Sequence, residues 1–104
     1  MKRGEVWWAE LPKPSGRRPV LLLSRNRAIE VRRNVTIAEI TTTPRHIPSE
    51  VPLHKGDGMP KECVVNLDVI NTISKEWLLS KITELSHAKI QVIERALRYV
   101  FELS

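Results

Sequence analysis

Residues 16–24 read GRRPVLLLS: a glycine, two arginines and a proline, then four apolar residues and a serine. Val20 to Leu23 is apolar at every position rather than at alternate ones, the pattern of a strand covered on both faces, so this segment is expected to lie centrally in a sheet. Arg18 stands directly before Pro19, which biases it to extended backbone. The chain therefore sets paired cations at the mouth of a buried strand, where desolvation penalises a charge without a partner. Two arrangements answer that penalty. Arg18 either offers its permanently charged fork to a phosphodiester, or pairs with one of Glu5, Glu10 and Glu39.

Working outward, Glu5 to Leu11 (EVWWAEL) is aromatic and β-branched between Gly4 and Pro12 and reads as a strand. PKPSGRR at 12–18 is a loop, and 26–33 is polar and basic, a loop or one helical turn. Strand character returns in VTIAEIT at 35–41 and in Glu50 to Leu53. Asp57-Gly58 within KGDGMP suits a tight hairpin turn, followed by CVVNL at 63–67 and VINTI at 69–73 as one returning strand or two. From Ser86, a plausible N-cap, Ile90, Ile93, Leu97 and Val100/Phe101 recur at helical steps, with Gln91, Glu94, Arg95 and Arg98 turned outward. The expectation is one mainly β (α+β) domain over 1–104, a small curled sheet or barrel closed by a C-terminal helix.

Charge is uneven. The net charge is +5, and residues 1–45 carry ten Lys+Arg against four Asp+Glu while the remainder is nearly balanced, which favours a polyanionic partner. Cys63 is the only cysteine, and with His46, His54 and His87 it forms no recognisable zinc or triad spacing, so no metal or other cofactor is expected. Cys63 lies in an apolar strand and is expected to pack as a small hydrophobe. The histidines are expected in solvent, His46 within a basic, threonine-rich loop. Phosphate signatures of the GxGxxG and GxxxxGK[ST] kinds are absent, as is an apolar run of about 18 residues, and Glu5 interrupts any signal-peptide core. A reducing cytoplasm fits this composition. Trp7 and Trp8 point to opposite faces of their strand, one of them into the core. Thr41-Thr42-Thr43 offers hydroxyl donors at a strand end.

RGEVWWAEL, GRRPVLLLS, IAEITTT, CVVNLDVINTI and LSHAKIQVIERAL together resemble, in order and spacing, the MazF/PemK family of bacterial toxin endoribonucleases, from Arg3 to about Leu97. The resemblance implies an SH3-like β-barrel forming a homodimer whose groove takes single-stranded RNA, and a cognate antitoxin. It implies metal-independent cleavage leaving a 2′,3′-cyclic phosphate and a 5′-hydroxyl. The family's catalytic arginine precedes the proline of the RPV strand and falls on Arg18; its catalytic hydroxyl follows the isoleucine of the IT pair and falls on Thr41. In that scheme Arg17, Ser24, Arg25, Arg27, Thr42, Thr43, Arg45 and Asn71 contact RNA, and Arg18 faces an open cleft with no carboxylate to neutralise it. Two stretches depart from the family pattern. The first loop, Pro12 to Gly16, lacks the Ser-Glu-Gln stretch of many members, and Asp68-Val69-Ile70-Asn71-Thr72 replaces acidic-Gln-Ile-basic-Thr.

Two other functions fit the same residues less well. A related plasmid-addiction toxin family binds DNA gyrase through aromatic and small C-terminal residues, but this chain ends VFELS without tryptophan. A basic nucleic-acid-binding module without catalysis would show salt-dependent RNA binding and leave the RNA intact.

Overall fold

The computed structural model describes residues 1–104. The elements run β1 (Glu5–Glu10), β2 (Arg17–Leu22), α1 (Asn26–Val31), β3 (Asn34–Thr41), β4 (Glu50–Leu53), β5 (Cys63–Ser74), β6 (Leu78–Glu84) and α2 (His87–Val100). The six strands form one sheet in the order β4-β5-β3-β2-β1-β6, and every neighbouring pair is antiparallel. It curls into a half-barrel with α2 packed on it, the mainly β architecture expected of an SH3-like barrel.

β2 is interior, and Val20, Leu21 and Leu22 are each fully buried because apolar layers cover both sides of the sheet. Leu21 joins Val6, Ala38, Ile40, Val65 and Leu67 in a layer completed by Ile93 and Ala96 of α2. Val20 and Leu22 face the other way and pack with Val35, Ile37, Ile73 and Ile29, the last supplied by α1. α2 starts where its cap predicts: Ser86 Oγ accepts the Lys89 backbone N–H at 3.1 Å. In β5 the pairing jumps from Ala38–Ile70 to Glu39–Asn66, leaving a bulge at residues 67–69 that bends the strand. The two apolar runs read from the sequence are thus one strand with a bulge.

Several expectations are corrected. β2 begins at Arg17 instead of after the arginines, because Arg17 and Arg18 pair with Glu10 and Ala9 of β1. Of the two readings of residues 26–33, a loop or one helical turn, the helical one holds: α1 is a short helix anchored by buried Ala28 and Ile29. Asp57-Gly58 does not make a two-residue turn: residues 55–57 form a 3₁₀ turn, the Asp57 carboxylate accepts the His54 N–H at 2.8 Å, and Gly58 ends the turn at φ 93°. Residues 78–84, to which the sequence reading gave no element, are the edge strand β6, with only Leu78 buried. Of the tryptophan pair, Trp7 is the inward one, half-buried and packed against the layer of Val20 and Leu22, while half-buried Trp8 lies on the opposite face. No helix is long and apolar enough to cross a membrane.

Candidate active site

The arginine pair and the threonine run meet because β2 and β3 are antiparallel neighbours. Their register pairs Val20 with Glu39. The β2–β3 pairing ends there, and beyond it Arg18, still paired with Ala9 of β1, and Thr41, still paired with Val64 of β5, border one gap between the strands. Arg17, Arg18, Thr41 and Thr42 line one cleft of about 240 Å³, together with Trp8, Pro19 and Lys61. Trp8 is half-exposed here because it forms a wall, with the Arg17 guanidinium 5.4 Å from its ring centroid, a cation–π contact. Trp7, on the opposite face, needs a partner for its indole N–H, which donates to Glu5 Oε1 at 2.9 Å.

Arg18 is not free of carboxylates, contrary to the expectation. Its Nη1 lies 3.2 Å from Glu39 Oε1, and its Nε donates to the Ser15 carbonyl at 3.4 Å. Strand alternation explains the partner: Arg18 projects from the same face as Val20, and Glu39 stands opposite Val20 on that face. Asn71 joins the group, its Nδ2 donating to Glu39 Oε2 at 3.4 Å. The guanidinium has five N–H groups. With these two bonds, Nη2 and one Nη1 proton have no partner in the chain. The pair sits at the rim of the sheet, the Arg18 side chain 32% exposed and the Glu39 side chain mostly covered at 13%.

The other predicted contacts spread from this cleft. Thr41 Oγ1 accepts the Thr43 N–H at 3.2 Å, which shapes the first turn of the loop after β3. The buried Glu50 carboxylate pins that loop by accepting the backbone N–H groups of Arg45 and His46 at 2.8 and 3.2 Å. Thr42 and Cys63 also line a second cleft of about 450 Å³ next to the first, with His46, Glu50 and Glu62 among its walls. Ser24 and Arg25 are not at either place. They line a cleft of about 620 Å³ elsewhere on the chain, with Arg32, Arg33, Thr36 and Thr72. Arg27, exposed on α1, sits 3.9 Å from Glu30.

Trp8, Glu39, Lys61, Arg32 and Arg33 were not expected as site residues. Glu39 carried a legible signal, since it replaces an apolar residue in the alternation Val35, Ile37, Glu39. His54 and His87 are exposed, as expected, and burial pushes the Cys63 thiol up, with Asp57 adding to the rise and Lys61 opposing it. Cys63 is thus a core residue rather than a nucleophile. At Glu5, burial works to raise the carboxyl. The Trp7 indole, a Lys2 backbone bond and the Lys81 ammonium at 3.2 Å outweigh it and hold the group below its ordinary value.

Residues 2–101 match the family described as PemK-like, MazF-like toxin of type II toxin-antitoxin system. The chain is 40% identical over 103 residues to MazF5, named a probable endoribonuclease, of Mycobacterium tuberculosis, covering 98% of this chain and 94% of that one. It is 36% identical over 99 residues to the same organism's MazF2, named likewise, covering 94% and 95%. Among solved structures, the Mycobacterium tuberculosis toxin MazF-mt6 superposes with a TM-score of 0.88 at 32% identity, over 96% of this chain and 98% of that one. An endoribonuclease in complex with its cognate antitoxin, from mycobacterial species, gives 0.88 at 29% identity over 100% and 97%. With a family match over nearly its whole length and a relative 40% identical along almost all of it, the chain belongs to the PemK/MazF toxins of type II toxin–antitoxin systems.

Proposed function

We propose that this MazF-type endoribonuclease toxin cleaves single-stranded RNA at the Arg18–Thr41 cleft, without a metal ion, leaving a 2′,3′-cyclic phosphate and a 5′-hydroxyl. The convergence of Arg18 and Thr41 carries the proposal. The ribose 2′-oxygen attacks its own phosphorus, and the free N–H groups of Arg18 and the Thr41 hydroxyl stabilise the charge that develops on the phosphoryl oxygens. Glu39 does not block this. Because about a third of the Arg18 side chain meets solvent, its pairing with Glu39 falls toward the surface range of about 0–1 kcal/mol. A hydrogen bond to a charged group contributes about 1.5–3 kcal/mol. A phosphate can therefore share or displace the carboxylate.

Arg17 and Thr42 line the same cleft, Thr43 and Arg45 follow in the loop after β3, and Asn71 contacts Glu39, the partner of Arg18. Ser24, Arg25 and Arg27 make a second basic stretch that Arg32 and Arg33 enlarge, and it supplies affinity for the RNA backbone rather than chemistry. The family context supports a homodimer with an RNA groove, a cognate antitoxin that neutralises the toxin, and action in the cytoplasm. An acidic segment that folds along the basic surface would suit the antitoxin's role. Long RNA incubated with the purified protein in EDTA, followed by end mapping, tests the proposal. Fragments with cyclic phosphate and 5′-hydroxyl ends are expected. Salt-sensitive binding with RNA left whole would instead establish a non-catalytic module.

A further inference from the structure

The cleavage chemistry requires a proton acceptor that the two residues above do not supply. As phosphorus is attacked, the 2′-hydroxyl must lose its proton. Arg18 is permanently protonated, and a threonine hydroxyl is a donor to the phosphoryl oxygens rather than a base. No histidine contacts Arg18, and His46 belongs to the neighbouring cleft.

We propose, building on the function above, that Glu39 is the general base. Its carboxylate is the one in contact with the Arg18 guanidinium, and it lies two residues before Thr41 on the same face of β3. Arg18 from β2 holds one oxygen at 3.2 Å, and Asn71 from β5 holds the other at 3.4 Å. Two interior neighbours thus fix its orientation, the condition for efficient proton transfer. Each oxygen still has a free lone pair, and the side chain's 13% exposure leaves it reachable while largely excluding water. Glu39 does not itself line the Arg18–Thr41 cleft; its link to bound RNA runs through Arg18, since a phosphate taken up by the remaining Arg18 N–H groups would bring the adjoining ribose 2′-hydroxyl toward this carboxylate.

The step balances without a co-reactant. The 2′-O–H proton passes to a Glu39 oxygen, the 2′-O–P bond forms, and the P–O5′ bond breaks. The departing 5′-oxygen takes a proton from water, and Glu39 returns its proton to solvent. This assigns Asn71 a positioning part, orienting Glu39, in place of direct contact with a base.

Glu39→Gln keeps the side chain's size and an oxygen for Arg18. The test compares it with the wild type and Arg18→Ala on an RNA oligonucleotide spanning a mapped cleavage site, across pH 4–9. The same oligonucleotide carrying a 2′-deoxyribose at that site measures binding. Expected is a fall in kcat of about 10²–10⁴-fold, binding of the deoxy oligonucleotide within a few-fold of wild type, and loss of the acidic limb of the pH–rate profile. Activity within threefold of wild type with the limb intact would overturn the proposal, as would increased activity, which would make Glu39 a competitor of the phosphate. If the wild type cleaves, Arg18→Ala does not and Glu39→Gln does, only the base assignment fails. If the wild type leaves RNA whole, the function itself fails, and this inference with it. Unchanged thermal unfolding of Glu39→Gln excludes misfolding as the cause of any loss.

Discussion

Arg18 and Glu39 should be coupled only weakly in folding stability, although they stand 3.2 Å apart. At that separation Coulomb attraction is about 1 kcal/mol in water and about 5 kcal/mol at an effective dielectric of 20. The lower end should prevail, because about a third of Arg18's side chain and an eighth of Glu39's are exposed and ordering two long side chains costs entropy. A cycle of Arg18→Gln, Glu39→Gln and the double variant, followed by urea and thermal unfolding, should give a coupling of about 0.2–1 kcal/mol. One kcal/mol corresponds to about 4–8 °C in a chain of this size, so departures from additivity in Tm should stay below that. A coupling of 3 kcal/mol or more, the size found when a buried pair is broken, would make the guanidinium part of the scaffold. It could not then be given up to a phosphate, and the site would have to be sought elsewhere.

Other outcomes follow from the same geometry. Thr41→Val keeps the shape of a strand-end side chain, so cleavage should slow by at least about tenfold while stability changes by about 1 kcal/mol, the value of the bond from the Thr43 N–H; a large drop in Tm would make Thr41 structural. Glu5, whose carboxyl is held below its ordinary value, adds stability that is fully present above that value near 4.5 and lost as pH falls through the lower folded value. Glu5→Gln should therefore lower stability at pH 7 and flatten its decline between pH 5 and 3; an unchanged acid limb in denaturant titrations would contradict this. Gly58→Ala meets both a positive φ of 93° and the side chain of Thr83, which donates to the Asp57 carbonyl, and should cost about 1–3 kcal/mol by urea unfolding. A neutral result would mean that the β4–β5 connection tolerates rearrangement.

The central strand was legible because its signal is local: consecutive apolar residues need cover on both faces, and the sheet provides it for Val20, Leu21 and Leu22, while Leu23 lies just past the strand end and is half-buried. α2 was legible for the same reason, through its cap and helical spacing. What escaped depends on distant partners. β6 reads LLSKITE, an edge strand with one buried side chain, and such a strand carries too little alternation to stand out. Asp57-Gly58 looks like a hairpin turn, yet the aspartate is spent on capping His54 and the glycine on ending a 3₁₀ turn. At the site, the resemblance pointed to Arg18 and Thr41, and the antiparallel pairing of β2 with β3, which ends at Val20–Glu39, leaves both bordering one cleft. It also put Glu39 against Arg18, a neighbour that strand spacing alone left as one acid among three.

The most direct test of the whole account is the rate at which Arg18→Ala cleaves RNA in EDTA relative to wild type, with both proteins shown to unfold at similar temperatures. Loss of one such electrostatic stabiliser should slow cleavage by about 10²–10³-fold while the protein stays folded. Cleavage at the wild-type rate would show that the guanidinium at the rim of β2 has no part in the chemistry.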